Sequence, residues 1–191
     1  MVAVTTGVRK LREIKASLVC SSALLAVTTA LSGCGAADTT SAVQSFWVAC
    51  SDKISDPPSD GFYRVRRFGD DAATADLLLG LILQGEKTVT FPIPWLYDGD
   101  RSATPVVGGY TVVTDFAGKP GALLHTTSVM TLPFNAVTEE HTQYEGPGAR
   151  PLEAWRKIHW AAYSLRLEPT GRGPAQDMPV TVERFEVACT P

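Results

Sequence analysis

The pattern of apolar and polar positions at the start of the folded region predicts a strand, a helix and a second strand. The strands cover 63–68 and 87–91. Asp70 or Asp71 can cap the helix between them, because a short carboxylate accepts hydrogen bonds from the first helical turn. Gly85 ends the helix, since glycine readily adopts the left-handed conformation of a helix C-terminus. Six closely spaced Leu and Ile residues are too dense for a one-sided amphipathic helix, which predicts a helix that is mostly buried.

Later apolar segments predict three more strands and one more helix. The strands cover 110–116, 122–132 and 180–188, and turn-forming residues at 117–121 join the first two as a hairpin. Apolar residues at spacings of three and four predict an amphipathic helix over 151–167. Its predicted core positions are Leu152, Trp155, Ile158, Ala162 and Leu165. Because strands and helices do not alternate regularly, the pattern favours an α+β domain built on a small barrel or curled sheet.

The first 33 residues have the layout of a signal peptide. Basic residues come first, and an uncharged apolar run over 16–31 follows. That run is shorter than the roughly 20 residues of a membrane span. The segment ending in Cys34 (Leu-Ser-Gly-Cys) resembles a bacterial lipobox, in which the cysteine is acylated. This predicts an exported lipoprotein anchored to the outer face of the cell membrane. The alternatives are an unmodified Cys34 near another cleavage site, and a cytoplasmic protein with no signal.

The residues after Cys34 predict a short tether before the folded domain. Residues 34–45 are mostly Gly, Ala, Thr and Ser, which bury too little apolar surface to become ordered. The folded domain then covers 46–191 and begins with a short helix. Export would leave Cys50 and Cys189 as a pair near the two ends of this domain. They form either one disulfide or two buried thiols, and the sequence leaves both alternatives open.

Composition and charge limit the classes of partner. The 191-residue chain is 45% hydrophobic and 19% charged, as expected for one globular domain. Its formal charge is −3, and residues 1–33 carry four basic residues and one acidic residue, so the remainder has a charge of −6. Nucleic-acid binding relies on Lys and Arg that neutralise phosphates. The acidic balance therefore makes the domain a poor candidate for binding long nucleic acids and is compatible with a nucleoside-like ligand or a short RNA.

Two separated segments contain residue types that act together in hydrolysis. Lys87 and Thr90 follow the leucine-rich helix, and Glu145 comes more than fifty residues later. A lysine, a hydroxyl and a carboxylate suit proton transfer and nucleophilic attack on an amide if folding brings them together. Otherwise they are a solvated lysine, a strand threonine and an exposed carboxylate. Trp95 and Tyr97 either stack on a base or pack within their loop.

No metal or cofactor is expected from the sequence. The three histidines are scattered, and the chain has no Cys-x-x-Cys or His-x-x-x-His spacing. A phosphate-binding glycine loop is missing as well, because the Gly108-Gly109 pair lacks the lysine and the helix start that such a loop requires. The oligomeric state is not indicated.

The order of the motifs resembles one known family. A glycine-any-lysine-threonine-any-threonine signature after a leucine-rich helix is similar to that of the ASCH domain, a PUA-like family, and the resemblance covers about Phe46 to Val187. The later motifs that carry it are Trp95 and Tyr97, Pro133-Phe134, Trp155-Arg156, and Glu183-Arg184-Phe185. The chain departs from the pattern at Gly109, where an aspartate is common, and at 146–151, which lacks an aspartate and a serine.

The resemblance implies a fold and a chemistry. The implied fold is a PUA-like small β-barrel with flanking helices. In the small amidohydrolase members, which deacetylate N(4)-acetylcytidine, the residues matching Lys87, Thr90 and Glu145 are the proton acceptor, the nucleophile and the proton donor. Other branches are thought to bind or cut RNA. We therefore expect a domain that binds a nucleoside-like or RNA-derived ligand, with amide hydrolysis as one interpretation and a non-catalytic, membrane-tethered binding module as the other.

Overall fold

The computed structural model describes residues 35–97 and 99–191, which form an α+β domain. The predicted signal peptide and Cys34 lie outside the described residues. Four short 3-10 turns accompany the main elements. The helices and strands are α1 (Gly35–Ser51), β1 (Arg64–Arg67), α2 (Ala72–Leu83), β2 (Val89–Thr90), β3 (Tyr110–Thr114), β4 (Pro120–Pro133), α3 (Glu139–Thr142), α4 (Leu152–Leu167) and β5 (Pro179–Cys189). The predicted α+β class is confirmed.

The five strands form one mixed sheet in the order β1-β3-β4-β5-β2. β1 and β3 are parallel, and every other pair is antiparallel. β3 and β4 form the predicted hairpin, in which Asp115 accepts a hydrogen bond from the Lys119 backbone at 2.8 Å. The long strand β4 pairs with both β3 and β5, and its register with β5 shifts between Thr126 and Ser128. Such a bulge increases the local twist of a sheet.

The sheet curls over its inner face. Strand β1 lies three positions from β5, which in a flat sheet corresponds to about 14 Å. Arg64 on β1 nevertheless forms a direct ion pair with Glu183 on β5. The Arg64 guanidinium and the Glu183 carboxylate both also contact the hydroxyl of Thr126 on β4, at 3.3 and 2.8 Å. Side chains so far apart in the strand order meet because the sheet is curved, as the PUA-like resemblance implies.

Helices cover both faces of this sheet. Neighbouring strand residues point to opposite faces, and Val112 packs with α1 whereas Val113 packs with Ile82 of α2. A third cluster fills the space between α4 and strands β2 and β5. Among the described residues, no helix is long and apolar enough to cross a membrane.

The predicted tether over 34–45 is corrected, because residues from Gly35 onward belong to α1. Val43, Phe46, Trp47 and Cys50 are buried in one cluster. Their spacing of three and four places them on one face of a helix. The small polar residues around Val43 hid this apolar stripe in the sequence, and packing against the sheet supplies the stability that their composition lacks.

Helix α2 begins and ends as predicted but is not mostly buried. Asp71 is its cap and accepts from the Thr74 backbone at 2.9 Å. Gly85 follows the helix with a φ of 72°. Only Ala75 and Ile82 are buried, whereas Leu77 is 61% exposed. The helix lies on the outside of the domain, so that one stripe of its leucines contacts the sheet and the others face outward.

The buried face of α4 agrees with the predicted one at Trp155 and differs from it at Ile158 and Leu165. Trp155, Tyr163 and Leu167 are its buried residues, while Ile158 is half exposed and Leu165 is 68% exposed. The true face repeats every four residues and is mainly aromatic. Spacing alone favoured the aliphatic positions, but the sheet below α4 accommodates the large rings.

Candidate functional site

The turn after α2 fixes the position of Lys87. The backbone N–H groups of Glu86 and Lys87 both donate to the carbonyl of Leu81, at 2.9 and 3.1 Å. This arrangement requires the left-handed conformation at Gly85, which a residue with a Cβ adopts at a cost. The chain then turns directly into β2, so the side chain of Lys87 points into the domain.

A second segment is held against this turn by backbone and side-chain bonds. The Thr88 N–H donates to the carbonyl of Tyr144 at 2.9 Å. Arg150 reaches both segments, because its Nε donates to the Glu145 carbonyl at 2.8 Å and its Nη2 to the Glu86 carbonyl at 2.9 Å. Glu145, which directly follows Tyr144, is thereby placed next to Lys87.

Lys87 and Glu145 form a buried ion pair. The Lys87 Nζ contacts Glu145 Oε2 directly and donates a second bond to the carbonyl of Val89 at 2.7 Å. The Gly146 N–H donates to the same carboxylate oxygen at 3.2 Å. Lys87 is 4% exposed and Glu145 is 3% exposed. The structure therefore brings together two of the three residues that the sequence proposed for catalysis.

His159 joins this pair, although the sequence did not select it. Its Nε2 lies 3.6 Å from Glu145 Oε1, and its Nδ1 lies 3.0 Å from the Trp155 carbonyl. Because a carbonyl only accepts hydrogen bonds, Nδ1 is the protonated nitrogen. The rings of Phe91, Trp155 and Tyr163 surround His159. The sequence signal that could have identified His159 is its position on α4, four residues from each of two buried aromatic residues.

Burial keeps His159 neutral. Desolvation lowers its pKa to about 4, although the Glu145 carboxylate acts in the opposite direction. The nearby Lys87 ammonium lowers the pKa further. With a proton on Nδ1, the lone pair of Nε2 faces the Glu145 carboxyl group.

Thr90 is not hydrogen-bonded to this pair. It lies in β2 opposite Glu183 on β5, and opposite residues of paired strands share a face of the sheet. Among the described residues, its hydroxyl forms no hydrogen bond with Lys87 or Glu145. Its cross-strand neighbour Glu183 belongs to the second buried polar cluster, with Arg64 and Thr126. Sequence reasoning missed this cluster, because its members lie on β1, β4 and β5, which are far apart in the chain.

The two proposed stacking residues have different environments. Trp95 is partly buried against the α4 core, and the Arg172 guanidinium lies 5.2 Å from its ring centre. Tyr97 is buried, and its hydroxyl donates to Thr181 Oγ1 at 3.3 Å. Tyr97 also lines a cavity of about 450 Å³, with Phe62, Arg64 and Tyr110 among the other lining residues. Trp95 does not line this cavity.

The remaining predicted site residues concern covalent links and metals. Cys50 and Cys189 are joined by a disulfide, with a Cα–Cα distance of 5.8 Å. Cys34, the predicted lipid attachment site, lies outside the described residues. Within 35–97 and 99–191, no group of three or more His, Cys, Asp or Glu side chains is arranged to hold a metal ion.

Comparison with known proteins identifies the class that this fold and site define. The ASCH domain model matches residues 64–188. The chain therefore belongs to the ASCH domain family. The matched range contains β1 to β4, all of β5 except its last residue, α4 and the residues Lys87, Glu145 and His159.

Two solved structures are similar to the chain. The ASCH domain from Lactobacillus crispatus JV V101 has a TM-score of 0.69 and 28% identity, with 78% of this chain and 94% of that chain covered. A protein from Enterococcus faecalis V583 has a TM-score of 0.67 and 28% identity, with 78% of this chain and 88% of that chain covered. A search of curated proteins finds no significant match.

Proposed function

We propose that this ASCH-domain protein binds a nucleoside-like or RNA-derived ligand and hydrolyses an amide such as that of N(4)-acetylcytidine at the Lys87–Glu145 pair. The observation that carries the proposal is the buried contact between these two residues, which are 58 positions apart in the chain. A buried ion pair is weak evidence for stability, because desolvating two charges offsets most of their attraction. A buried amine in direct contact with a carboxylate is instead suited to proton transfer.

The contact suits acid and base catalysis. Moving one proton from Lys87 Nζ to Glu145 Oε2 converts the ion pair into a neutral amine and a carboxylic acid, with no change in net charge. The amine can then accept the proton of a nucleophile, and the acid can protonate the leaving group. The neutral His159 ring, whose Nε2 lies 3.6 Å from Glu145 Oε1, adds no second cation beside the carboxyl group.

The proposed nucleophile is the Thr90 hydroxyl, which attacks the amide carbonyl as Lys87 takes its proton. The C–N bond then breaks, the amine leaves with a proton from Glu145, and water hydrolyses the acetyl ester on Thr90 to release acetate. Thr90 lies three positions after Lys87 in the chain and is the last residue of β2. Its hydroxyl is not hydrogen-bonded to Lys87 in the structure, so the proposed reaction requires the two groups to approach each other. This step is the most demanding one in the proposal and the one that a variant of Thr90 tests directly.

The test is release of acetate and cytidine from N(4)-acetylcytidine by the purified protein. Thr90→Val keeps the shape of the side chain and removes the hydroxyl, so we expect turnover to fall at least 100-fold. Thr90→Ser is the matched control, since it retains a hydroxyl and should keep measurable activity. Equal rates for wild type and Thr90→Val would remove Thr90 from the mechanism.

Lys87→Ala tests the base in the same assay. We expect loss of turnover in a protein whose circular dichroism remains that of a folded domain. Unchanged turnover in this variant would overturn the hydrolytic proposal.

A non-catalytic binding module is the second candidate, and a separate observation favours it. The cavity lined by Phe62, Tyr97 and Tyr110 offers aromatic rings for a base, but Lys87, Thr90 and Glu145 do not line it. Stacking on such rings contributes about 1 to 3 kcal/mol per base. If the second candidate is right, cytidine binding should weaken in Tyr97→Ala, while N(4)-acetylcytidine remains intact even at high protein concentration.

We also propose that the protein is exported and held at the membrane surface through an acylated Cys34. The basic start, the apolar run and the Leu-Ser-Gly-Cys segment support this proposal. The Cys50–Cys189 disulfide is of the kind that persists in oxidising compartments and agrees with export. Cell fractionation is the test. Cys34→Ala should remove the protein from the membrane fraction. Unchanged retention of this variant in the membrane fraction would show that a lipid on Cys34 does not hold the protein there.

A further inference from the structure

Strand β1 carries three arginines, and one of them has no ion-pair or hydrogen-bond partner among the side chains that the structure describes. Arg64 forms an ion pair with Glu183, and the Arg67 guanidinium stacks on an aromatic ring with 4.5 Å to the ring centre. Arg66 forms no ion pair and no hydrogen bond with any described side chain. It is half-buried, on the same inward face of the strand as Arg64. This cation is thus partly withdrawn from water and has no directly bonded counter-ion among the described residues.

The surroundings of Arg66 disfavour its charge. Burial lowers its pKa first, and the neighbouring Arg64 guanidinium lowers it further. Glu183 acts in the opposite direction, but its carboxylate is already bonded by Arg64 and Thr126. Because an arginine remains protonated in proteins, the remaining way to offset the cost is an anion from outside.

A cavity places Arg66 where such an anion can reach it. The cavity has a volume of about 320 Å³ and is also lined by Arg166, Asp70, Tyr97 and Ile93. Arg166 donates to Asp70 at 3.1 Å, so those two charges offset each other, and the charges of Arg66 and of Arg67, which also lines the cavity, remain. Planar guanidinium groups match phosphate oxygens in a bidentate manner. This basic cavity lies in a domain whose formal charge is −6.

Tyr97 connects this cavity with the aromatic one. It lines both, while Arg64 lines the aromatic cavity and Arg66 the basic one. Two residues along a strand span about 7 Å, which a single nucleotide can bridge. We propose that the Arg66 cavity binds the phosphate group of a nucleotide whose base lies in the aromatic cavity. The base placement rests on the proposed nucleoside-like ligand, whereas the phosphate site rests on Arg66 alone.

The test is calorimetric titration of the full 191-residue chain at constant ionic strength with three probes. These are cytidine, cytidine 5′-monophosphate and inorganic phosphate. We expect the nucleotide to bind at least 10-fold more tightly than cytidine. Arg66→Gln should abolish that difference, and Arg66→Lys should restore part of it. The matched control is Arg156→Gln, which removes an exposed arginine that lines a separate groove on α4 and should change nothing.

The outcomes distinguish failure of the phosphate site from failure of the proposed function. Nucleotide and cytidine binding equally well would overturn the phosphate site and leave the proposed function standing. Binding of inorganic phosphate that depends on Arg66, without binding of either cytidine compound, would support the oxyanion site with free phosphate as its source and overturn the nucleotide. No binding of any probe would overturn both. Circular dichroism should give Arg66→Gln a melting temperature no lower than wild type, because the variant removes an unpaired cation.

Discussion

Lys87 and Glu145 hold opposite charges where water barely reaches them. Each charge loses several kcal/mol of hydration on burial, and their attraction offsets this only when the remaining polar atoms are bonded. Such bonds are present, since Lys87 donates to the Val89 carbonyl and Glu145 accepts from the Gly146 N–H. The sequence suggested both residues through their motifs, but it could not show that they touch, because their contact depends on Arg150 joining two distant segments.

Removing one partner of this pair should be more costly than removing both. We expect Lys87→Met to lower the free energy of unfolding by about 3 to 5 kcal/mol, because Glu145 then stays buried without a cation. The double variant Lys87→Met/Glu145→Gln should recover much of that loss. Urea unfolding followed by circular dichroism measures both. A loss below about 1 kcal/mol in the single variant would show that the pair contributes little electrostatic stability.

His159 should make the protein less stable in acid. Burial lowers its pKa to about 4, whereas an unfolded histidine titrates near 6.5. Between these values the unfolded chain binds more protons, so the free energy of unfolding falls as the pH drops from 6.5 towards 4. We expect His159 to account for up to about 3 kcal/mol of this fall in the free energy of unfolding. His159→Gln should show a correspondingly smaller loss between pH 7 and pH 4.5 in urea unfolding, and equal losses would contradict the buried neutral imidazole.

At the scale of elements, local signals placed the helices and strands, and packing chose their buried faces. The Asp71 cap and the Gly85 turn act within one helical turn, and both were predictable. The face of α4 was not, because its aliphatic and aromatic stripes both have helical spacing. Which stripe is buried depends on the shape of the sheet that the helix contacts.

The exposed leucines of α2 offer a test of this distinction. We expect Leu77→Gln to change the free energy of unfolding by less than about 0.5 kcal/mol, because its side chain faces outward. Ile82→Ala should cost about 2 to 5 kcal/mol, since Ile82 is fully buried between α2 and the sheet. Thermal and urea unfolding of the two variants give the comparison. A large loss in Leu77→Gln would mean that this face is covered in solution.

At the scale of the whole molecule, the disulfide joins the two ends of the folded domain. Cys50 lies near the end of α1 and Cys189 ends β5, and 139 positions separate them in the chain. Both cysteines are part of the cluster that packs α1 against the sheet. The bridge therefore fastens an N-terminal helix, whose sequence predicted only a tether in its first part, to the last strand.

Reduction should destabilise the domain without changing its fold. Closing so long a loop restricts the unfolded chain, so we expect dithiothreitol to lower the free energy of unfolding by about 2 to 5 kcal/mol. The melting temperature with and without reductant measures the effect. The double variant Cys50→Ser/Cys189→Ser is the control, because it should resemble the reduced protein and no longer respond to reductant. A wild-type protein insensitive to dithiothreitol would show that the thiols are free in solution.

The sequence by itself determined the α+β class, the positions of the five strands and of α2 and α4, the cap and turn of α2, and the family motifs. These features depend on neighbouring residues, and local hydrogen bonding and periodicity encode them. Tertiary structure alone decided that Glu145 meets Lys87, that His159 faces both, that Thr90 lies opposite Glu183, and that Arg66 remains unpaired. These relations depend on the curl of one sheet and on contacts between residues far apart in the chain, which no local pattern records.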